Sequence, residues 1–344
     1  MKQRNVIAID LAKNSFQVCV MTRNGKVLSN KPMSRKQLET YLVKQAPAIV
    51  AMEACGGAHH WGRKAQACGH EGRLLSPRQV KPYRQGHKTD AKDALAIAIA
   101  CLQPEVKYAG LMRLEQQSLQ SDKRVQEHLS DQLTATGNLL RALVGEFGLV
   151  IPKGIAALKR RLPEILEDAE NGLPLSVRES LHQAWLLWQH QAQALKALEQ
   201  LLVRRVQQTP ACAALERLES VGSKNAVGLY VALGDGRQYQ NGREAAACIG
   251  VTPKQDSTGG KVKLGSIGKF TGNQRLRSSL IVGARAVVNA VARREPRNDK
   301  ERWLKALIER RGPGRAAVAL ANKTVRTAWA MLYYQTPYQP ALST

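Results

Sequence analysis

Four acidic residues in the first third of the chain have the types and spacing of a metal-dependent site. Asp10 and Glu53 each end a short apolar run, and Asp90 and Asp93 lie three residues apart where a helix is predicted to begin, on one face of that helix. Carboxylates that approach a phosphate need a divalent cation to offset their charge, and Mg²⁺ prefers such oxygen ligands. We expect the four acids to converge on Mg²⁺. The alternative for each acid is a solvated or helix-capping carboxylate.

Two neighbouring hydroxyls form a second candidate site. Ser257 and Thr258 precede Gly259 and Gly260 in a lysine-rich segment. Nearby cations would stabilise an alkoxide and the oxyanion that forms when it attacks phosphate. The alternative is an ordinary Ser/Thr turn in a loop that contacts phosphate. The basic residues expected to bind nucleic acid here are Lys254, Lys261, Lys263, Lys269, Arg275 and Arg277.

The apolar patterns around the acids predict an α/β domain. Residues 6–9 and 16–21 predict two strands, and Asn24-Gly25 before Val27 predicts a hairpin turn. A helix-compatible stretch over 35–45 leads to the buried-strand pattern of 48–52. Residues 73–75 predict another strand, and the sequence from Thr89 to Leu102 predicts a helix capped by Thr89. A hairpin followed by strands separated by helices is typical of an α/β fold.

The middle of the chain predicts two long amphipathic helices. Apolar positions recur at helical spacing over 114–147 and 181–206, and a Pro- and Gly-marked stretch from Pro152 to Pro174 separates them. Two arrangements fit this pattern: an antiparallel helical hairpin within one monomer, or a coiled-coil arm that also makes a dimer contact, with Trp185 and Trp188 at or near the seam. Further helices are predicted from Arg275 onward.

The charge of the chain favours a polyanionic partner. The 344 residues carry a net charge of +25, with 18 basic and 7 acidic side chains in 1–110, 16 and 15 in 111–250, and 18 and 5 in 251–344. The excess therefore lies in the two parts that hold the candidate sites. No Gly-x-x-x-x-Gly-Lys-Ser/Thr loop supports ATP-driven chemistry. No membrane span or secretory signal is visible, and the six cysteines predict reduced thiols, which favours a cytoplasmic protein.

Four sequence blocks together resemble one family. AIDLAKNSF around Asp10, AMEACGG around Glu53, KTDAKDA around Asp90 and Asp93, and the block GVTPKQDSTGGKVKLGSIGKFTGNQRLR resemble, in this order, the signature regions of the IS-one-ten family of bacterial insertion-sequence transposases. The SxGGK form is similar to its eleven-eleven branch. The resemblance covers nearly the whole chain.

The resemblance implies α/β plus α architecture in three parts. These are a RuvC-like (ribonuclease H fold) domain over 1–110, a helical coiled-coil arm over 111–210, and a mostly helical C-terminal transposase domain over 211–344. It further implies a DEDD tetrad of Asp10, Glu53, Asp90 and Asp93 that binds Mg²⁺. The catalytic serine falls on Ser257 or, one residue later, on Thr258; Ser257 carries the less hindered hydroxyl and is preferred.

The function implied is RNA-guided recombination. Such an enzyme would bind a structured guide RNA together with donor and target DNA, work as a homo-oligomer, a dimer of dimers, and act in the bacterial cytoplasm at the nucleoid. A covalent serine–DNA link would conserve the energy of the phosphodiester, so rejoining would need no ATP. Two alternatives remain open: a RuvC-type structure-selective nuclease that cuts by hydrolysis, and a non-enzymatic basic nucleic-acid-binding protein.

Overall fold

The first third of the chain forms a six-stranded mixed sheet in the computed structural model, which describes residues 4–268 and 271–339. The strand order is β3-β2-β1-β4-β5-β6. The strands are β1 (Val6–Asp10), β2 (Ser15–Met21), β3 (Val27–Ser34), β4 (Ile49–Glu53), β5 (Glu71–Leu75) and β6 (Tyr108–Ala109). The predicted hairpin is confirmed, since β1, β2 and β3 pair antiparallel and Gly25 takes the positive φ of 82° at the turn.

Helices separate the parallel part of this sheet, because parallel neighbours need a crossover connection. Strand β1 pairs parallel with β4, and β4 pairs parallel with β5. The helices of this region are α1 (Arg35–Lys44), α2 (Ala58–Ala67), α3 (Pro77–Val80) and α4 (Asp90–Leu102), with a 3₁₀ turn over Lys81–Tyr83. Ser34 and Gln37 form a capping box at the start of α1.

Each face of the sheet is covered by a separate apolar cluster. On one face, Val6 and Ala8 of β1 pack with Ala94 and Ile97 of α4. On the other face, Ile7 and Ile9 pack in a cluster that includes residues of α1 and α2. The alternation along β1 follows from the two-residue period of a strand whose two faces are both buried. Helix α4 is thereby fixed against the strand that ends at Asp10.

The rest of the chain is mostly helical. Its helices are α5 (Leu114–Gly145), α6 (Ile155–Glu167), α7 (Leu175–Gln208), α8 (Pro210–Leu215), α9 (Ser223–Leu233), α10 (Gly242–Ile249), α11 (Gln274–Ala292), α12 (Asp299–Arg311) and α13 (Pro313–Tyr334). One antiparallel hairpin interrupts them, formed by β7 (Pro253–Thr258) and β8 (Lys261–Ile267). An α/β sheet followed by a helical remainder matches the coarse architecture expected from the sequence.

Helices α5 and α7 run antiparallel to each other. Arg205 of α7 pairs with Asp122 of α5, and the indole Nε1 of Trp188 donates to the carbonyl of Leu133 at 3.1 Å. A residue late in α7 contacts one early in α5, and an earlier residue of α7 contacts a later one of α5. The two helices are therefore antiparallel, as the helical-hairpin prediction requires. The rings of Trp185 and Trp188 stack with centroids 5.1 Å apart and both are buried.

Two details of this helical pair differ from the sequence predictions. The Pro- and Gly-marked connection contains α6, whose Leu158, Leu162 and Ile165 are buried in the same cluster as Trp188. The free energy gained by burying this apolar face of α6 exceeds the cost of Pro163 within the helix. Two of the apolar positions that recur over 114–147, Val125 and Phe147, are exposed, and Phe147 lies beyond the end of α5.

The chain divides into two compact units, each formed by more than one segment. The first contains the residues up to Gln116 with Leu233–Ala245 and Leu332–Gln335. The second contains Gln117–Ala232, Ala246–Met331 and the residues from Thr336 onward. The acids therefore belong to the first unit and the hydroxyl pair to the second. The three-part division of the sequence analysis stays a prediction.

Two further observations concern the sequence-based expectations. Within the described part of the chain, no helix has the length and apolar character needed to cross a membrane. All six cysteines are free thiols.

Candidate active site: an acid cluster and a hydroxyl hairpin

Asp10 and Glu53 lie at the same edge of the sheet. Strands β1 and β4 are parallel neighbours, and Ile9 is paired with Met52. Asp10 directly follows Ile9, and Glu53 directly follows Met52, so the two acids end their strands side by side. Both side chains are half-buried, in contrast to the fully buried residues before them. The carboxyl ends of parallel strands thus bring together two acids that are 43 positions apart in the sequence.

Asp90 and Asp93 occupy the first turn of α4. The Thr89 hydroxyl accepts a hydrogen bond from the amide of Lys92 at 3.4 Å, which fixes the residue at which the helix begins. Residues three apart share a helix face, so the two carboxylates project together. Asp93 is half-buried and Asp90 is exposed.

The pKa of Asp10 is raised by its environment. Burial, followed by the charges of Asp93, Asp90 and Glu53 in that order of effect, together raise it to about 6, while Lys88 opposes them. The convergence of the four acids on one metal stays a prediction. Like charges this near one another destabilise their own ionised forms.

The pKa of Glu53 is also raised by its surroundings. Burial raises its pKa, and the charge of Asp93 adds to the rise, whereas Arg84 and Lys88 lower it. Perturbed carboxylates of this kind concentrate at functional sites because catalysis requires charge to be held where it is unfavourable.

Two cations beside the cluster were not singled out from the sequence. Arg84 pairs with Asp93, with Nη1 and Oδ1 3.3 Å apart. Lys88 lies close enough to lower the pKa of both Asp10 and Glu53. Both belong to the basic stretch KPYRQGHKTD that precedes α4, and that run of charge next to an acid pair was the signal available in the sequence. They are suited to contact a phosphate that approaches the carboxylates.

The donor set fits a divalent metal ion. Its oxygens are hard ligands of the kind that Mg²⁺ takes, and a dication would relieve the repulsion that raises the pKa of Asp10. Within residues 4–268 and 271–339, no three His, Cys, Asp or Glu side chains already surround a metal position. Binding would therefore require the four side chains to turn toward one another, a rearrangement of rotamers that half-buried and exposed carboxylates permit.

The hydroxyl pair lies on a β-hairpin, whereas the sequence suggested a Gly-rich loop. Gly259 and Gly260 have φ values of 55° and 79°, which is the two-residue turn that suits the twist of antiparallel strands. The flanking residues consequently pair, with Ser257 opposite Val262 and Thr258 opposite Lys261. Both hydroxyl-bearing side chains are exposed.

The hairpin has two chemically different faces. Residues directly opposite each other in an antiparallel pair share a face, and neighbours along a strand point to opposite faces. Ser257 therefore shares its face with Val262, and this face continues to Gln255 and Leu264. Thr258 shares the other face with Lys261, and this face continues to the pair Asp256 and Lys263. Two of the lysines predicted to flank the nucleophile, Lys261 and Lys263, thus stand on the face of Thr258, which the sequence pattern did not reveal.

The other predicted nucleic-acid-binding residues have different environments. Lys254 is exposed, and Lys269 lies outside the described residues. Arg275 is exposed and pairs with Asp131, with Nη2 and Oδ2 2.7 Å apart. Arg277 departs from the prediction, because it is only 9% exposed and its guanidinium donates to the carbonyls of Gly268 and Thr271. In this arrangement Arg277 holds the backbone and does not face a phosphate.

Family models of transposases match both parts of the chain. A family model described as a transposase of the DEDD type matches residues 7–148, which contain the four acids. A second model, described as "Transposase IS116/IS110/IS902 family", matches residues 212–299, which contain the hydroxyl hairpin.

The relatives match over nearly their whole length. A protein of Pseudomonas aeruginosa named "Probable family 20 transposase" is 39% identical, with 97% of this chain and 98% of the relative covered. The transposase for insertion sequence element IS1111A of Coxiella burnetii is 35% identical, with 98% and 92% covered. The transposase for insertion sequence element IS1328 of Yersinia enterocolitica is 33% identical, with 94% and 95% covered.

Proposed function

This chain belongs to the IS116/IS110/IS902 family of insertion-sequence transposases, and on that premise we propose that it is a Mg²⁺-dependent, RNA-guided DNA recombinase. The observation that carries the proposal is that Asp10 and Glu53 end neighbouring parallel strands, and that burial, followed by the charges of Asp93, Asp90 and Glu53, raises the pKa of Asp10 to about 6. Four mutually repelling carboxylates in a protein of net charge +25 suit a site that handles a cation together with phosphate.

The sheet also supports a RuvC-like nuclease domain. An antiparallel β1-β2-β3 meander joined to the parallel strands β4 and β5 puts an acid at the end of the first strand and another at the end of its parallel neighbour. Helix α4 adds the remaining pair. The antiparallel pair of long helices supports the proposed arm between the two catalytic parts.

The residues of the acid cluster would hold and shape the metal site. Asp10, Glu53, Asp90 and Asp93 would bind Mg²⁺, which when bound supplies Lewis-acid stabilisation of the charge that develops on a phosphodiester. Lys88 and Arg84 would draw the DNA backbone toward the carboxylates and offset their repulsion of phosphate. The ion pair between Arg84 and Asp93 would loosen as the metal takes over the carboxylate.

A hydroxyl of the hairpin would cut and rejoin the strand. The oxygen of Ser257 attacks the phosphorus of a phosphodiester, a serine–phosphate ester forms, the bond to one deoxyribose oxygen breaks, and the proton lost by the serine balances the one gained by the departing oxygen. The reverse attack by another strand end rejoins DNA without ATP, since the phosphoester bond is exchanged and not hydrolysed.

Different properties favour Ser257 and Thr258 as the nucleophile. Ser257 offers a primary, less hindered oxygen, while Thr258 shares its face with Lys261 and Lys263, whose charges would stabilise an oxyanion. We retain Ser257 as the nucleophile, with Thr258 as the alternative. The partners proposed are donor and target DNA and a structured guide RNA. The active form proposed is a homo-oligomer, a dimer of dimers, because recombination requires four strands to be cut.

The test is to trap a covalent protein–DNA adduct under denaturing conditions. Wild-type protein with guide RNA, element-end DNA and Mg²⁺ is expected to form an adduct that resists SDS, and Ser257→Ala is expected to form none while Thr258→Ala retains it. The reverse pattern assigns the reaction to Thr258. An adduct that survives in both single variants and in the double variant would remove the hairpin from the chemistry.

A hydrolytic RuvC-type nuclease is the second candidate, and one observation favours it. The acid cluster and its cations lie within the first compact unit, so metal-dependent attack by water needs nothing from the hairpin. Such an enzyme would cut branched DNA without forming any adduct, which separates it from the recombinase in the same experiment. The non-enzymatic alternative predicts no cleavage at all.

A further inference from the structure

The hydroxyl hairpin has no supporting layer along its length. Apart from Ile267 at its end, every residue of β7 and β8 is exposed. A two-stranded ribbon without a packed face has marginal stability alone. Its direction must therefore be set where the chain enters it, at residues 249–252, and where the chain leaves it, at residues 268 and 271–273. We call these two segments the neck of the hairpin.

The two segments of the neck touch through their backbones. Gly250 has φ of 90°, and a Cβ added there would lie 2.5 Å from the carbonyl oxygen of Thr271. Gly272 has φ of 68°, and a Cβ there would lie 2.3 Å from the carbonyl oxygen of Ile249. Both conformations and both distances are compatible only with glycine. The backbones of the two neck segments thus approach each other more closely than a Cβ atom at Gly250 or Gly272 would allow.

Arg277 ties the exit segment to α11. Its guanidinium donates to the carbonyl of Gly268 and, at 3.1 Å, to that of Thr271. The Thr271 hydroxyl also donates to the Gly268 carbonyl at 3.0 Å. Both bonds come from Nη1, whose two N–H groups are fixed in the guanidinium plane, whereas the N–H groups of a lysine ammonium rotate freely. Because Arg277 is 9% exposed, these bonds are shielded from water.

Asn322 of α13 ties the entry segment. Its amide Nδ2 donates to the carbonyl of Val251 and to the hydroxyl of Thr252, both at 3.2 Å. One helix therefore fixes each side of the neck, so the hairpin projects from a base that is anchored twice.

We propose that Arg277 is a positioning residue, which through the glycine-closed neck sets the direction of the hairpin and so the place of its hydroxyl nucleophile. The proposal rests on the function proposed above for that hydroxyl. Ser257 lies five residues beyond Thr252, ~17 Å along an extended strand. A tilt of ~5° at the neck would move it by ~1.5 Å, and a misplacement of ~1 Å costs about 10²-fold in rate.

The first experiment measures the direction of the hairpin without reference to catalysis. Spin labels are placed at Val262→Cys and Arg285→Cys in a background that carries Cys55→Ser, Cys68→Ser and Cys248→Ser. Arg277→Met is expected to broaden the distance distribution about twofold or more. Arg310→Met, the same substitution at an exposed helix end, is expected to leave it unchanged.

Gly272→Ala provides a second variant if Arg277→Met does not fold. It is expected to broaden the distribution in the same way. Its matched control is Gly265→Ala within the hairpin, where a Cβ meets nothing closer than 3.6 Å. An unchanged distribution in folded Arg277→Met and Gly272→Ala overturns the proposal.

The second experiment measures adduct formation at saturating DNA. Arg277→Met is expected to lower the rate by about 10²-fold with half-saturation within about threefold of wild type, and Arg277→Lys to recover part of the loss. A broadened distribution with a wild-type adduct rate overturns the positioning role. A broadened distribution in a protein whose wild type forms no adduct leaves the neck established as the determinant of hairpin direction and rejects the proposed function instead.

Discussion

The acid cluster and the hydroxyl hairpin differ in what holds their reactive groups. Asp10 and Glu53 follow buried residues of two paired strands and are backed by two apolar clusters. Ser257 and Thr258 stand on an exposed ribbon that is fixed only at its base. The first site thus derives its order from the core, and the second from a few polar contacts to backbone carbonyls.

The two sites also differ in the electrostatic free energy of their reactive groups before any ligand binds. The cluster holds like charges together, so its pKa values are displaced before any ligand binds. The exposed hydroxyls have no comparable electrostatic cost. A rigid, charged site and a projecting nucleophile would allow the metal to be held constant while the attacking group is delivered to DNA.

Loss of a carboxylate from the cluster is the largest expected effect. Asp10→Asn should lower the single-turnover rate of strand cleavage in Mg²⁺ by about 10³-fold, because a metal contributes several kcal/mol to transition-state stabilisation. Glu71→Gln is the control, since it removes an exposed carboxylate from β5, which lies beyond β4 in the same sheet, and should change the rate by less than about twofold. Cleavage by Asp10→Asn within about tenfold of wild type would remove Asp10 from the site.

The same substitution should stabilise the metal-free fold. The pKa of Asp10 is about 6 in the folded protein against 3.8 for the free side chain, so its penalty is absent below pH 3.8 and complete above about pH 6. A fully buried group would give ~3 kcal/mol, and partial solvation reduces this to ~1–2 kcal/mol.

The measurement is urea unfolding of Asp10→Asn and wild type in EDTA. The variant should be more stable at pH 8, and its advantage should shrink at pH 4.5. Mg²⁺ should raise the stability of wild type more than that of the variant. A variant that is less stable than wild type at pH 8 without metal would contradict the prediction that the fold destabilises the ionised form of Asp10.

Substitutions on the two faces of the hairpin should have different effects on DNA affinity. Lys261→Gln with Lys263→Gln should weaken DNA binding by about tenfold and lower the slope of log affinity against log salt by about 2, since each phosphate contact contributes about 1. Val262→Ser with Leu264→Ser, a pair on the opposite face, should leave the slope unchanged. Equal changes in slope for the two pairs would contradict a single phosphate-facing side.

The smallest effect is expected on the stability of the fold, from substitution of Ser257, the proposed nucleophile. Ser257→Ala should alter the free energy of unfolding by less than ~0.5 kcal/mol, because the side chain is exposed on an unsupported ribbon. Calorimetry of the two proteins in EDTA measures this directly. A larger loss of stability would mean that Ser257 is a structural residue and that the contrast with the acid cluster is false.

Much of the acid cluster was predictable because it depends on local patterns. Apolar runs mark the strands that end at Asp10 and Glu53, and a threonine cap marks the start of the helix that carries Asp90 and Asp93. The contributions of Arg84 and Lys88 were not predictable, since a charge run has no preferred partner until the chain is folded.

The hairpin and the long helices show where local patterns are insufficient. The strand propensity of the segment around Ser257 is low, and its pairing depends on a turn formed by two glycines at positive φ. The burial of α6 depends on packing among three helices, and the exposure of Val125 and Phe147 was not visible in the apolar period of their segment, because a period in one segment does not encode its neighbours.

The sequence alone determined the class of the protein, its four acids, its hydroxyl pair and its excess of positive charge, because residue type and spacing are properties of the chain. Only the tertiary structure decided that Asp10 and Glu53 lie at the same edge of the sheet, that Lys261 and Lys263 share a face with Thr258 and not with Ser257, and that Arg277 is buried. Those facts depend on strand register and on burial, which arise from contacts between residues distant in sequence.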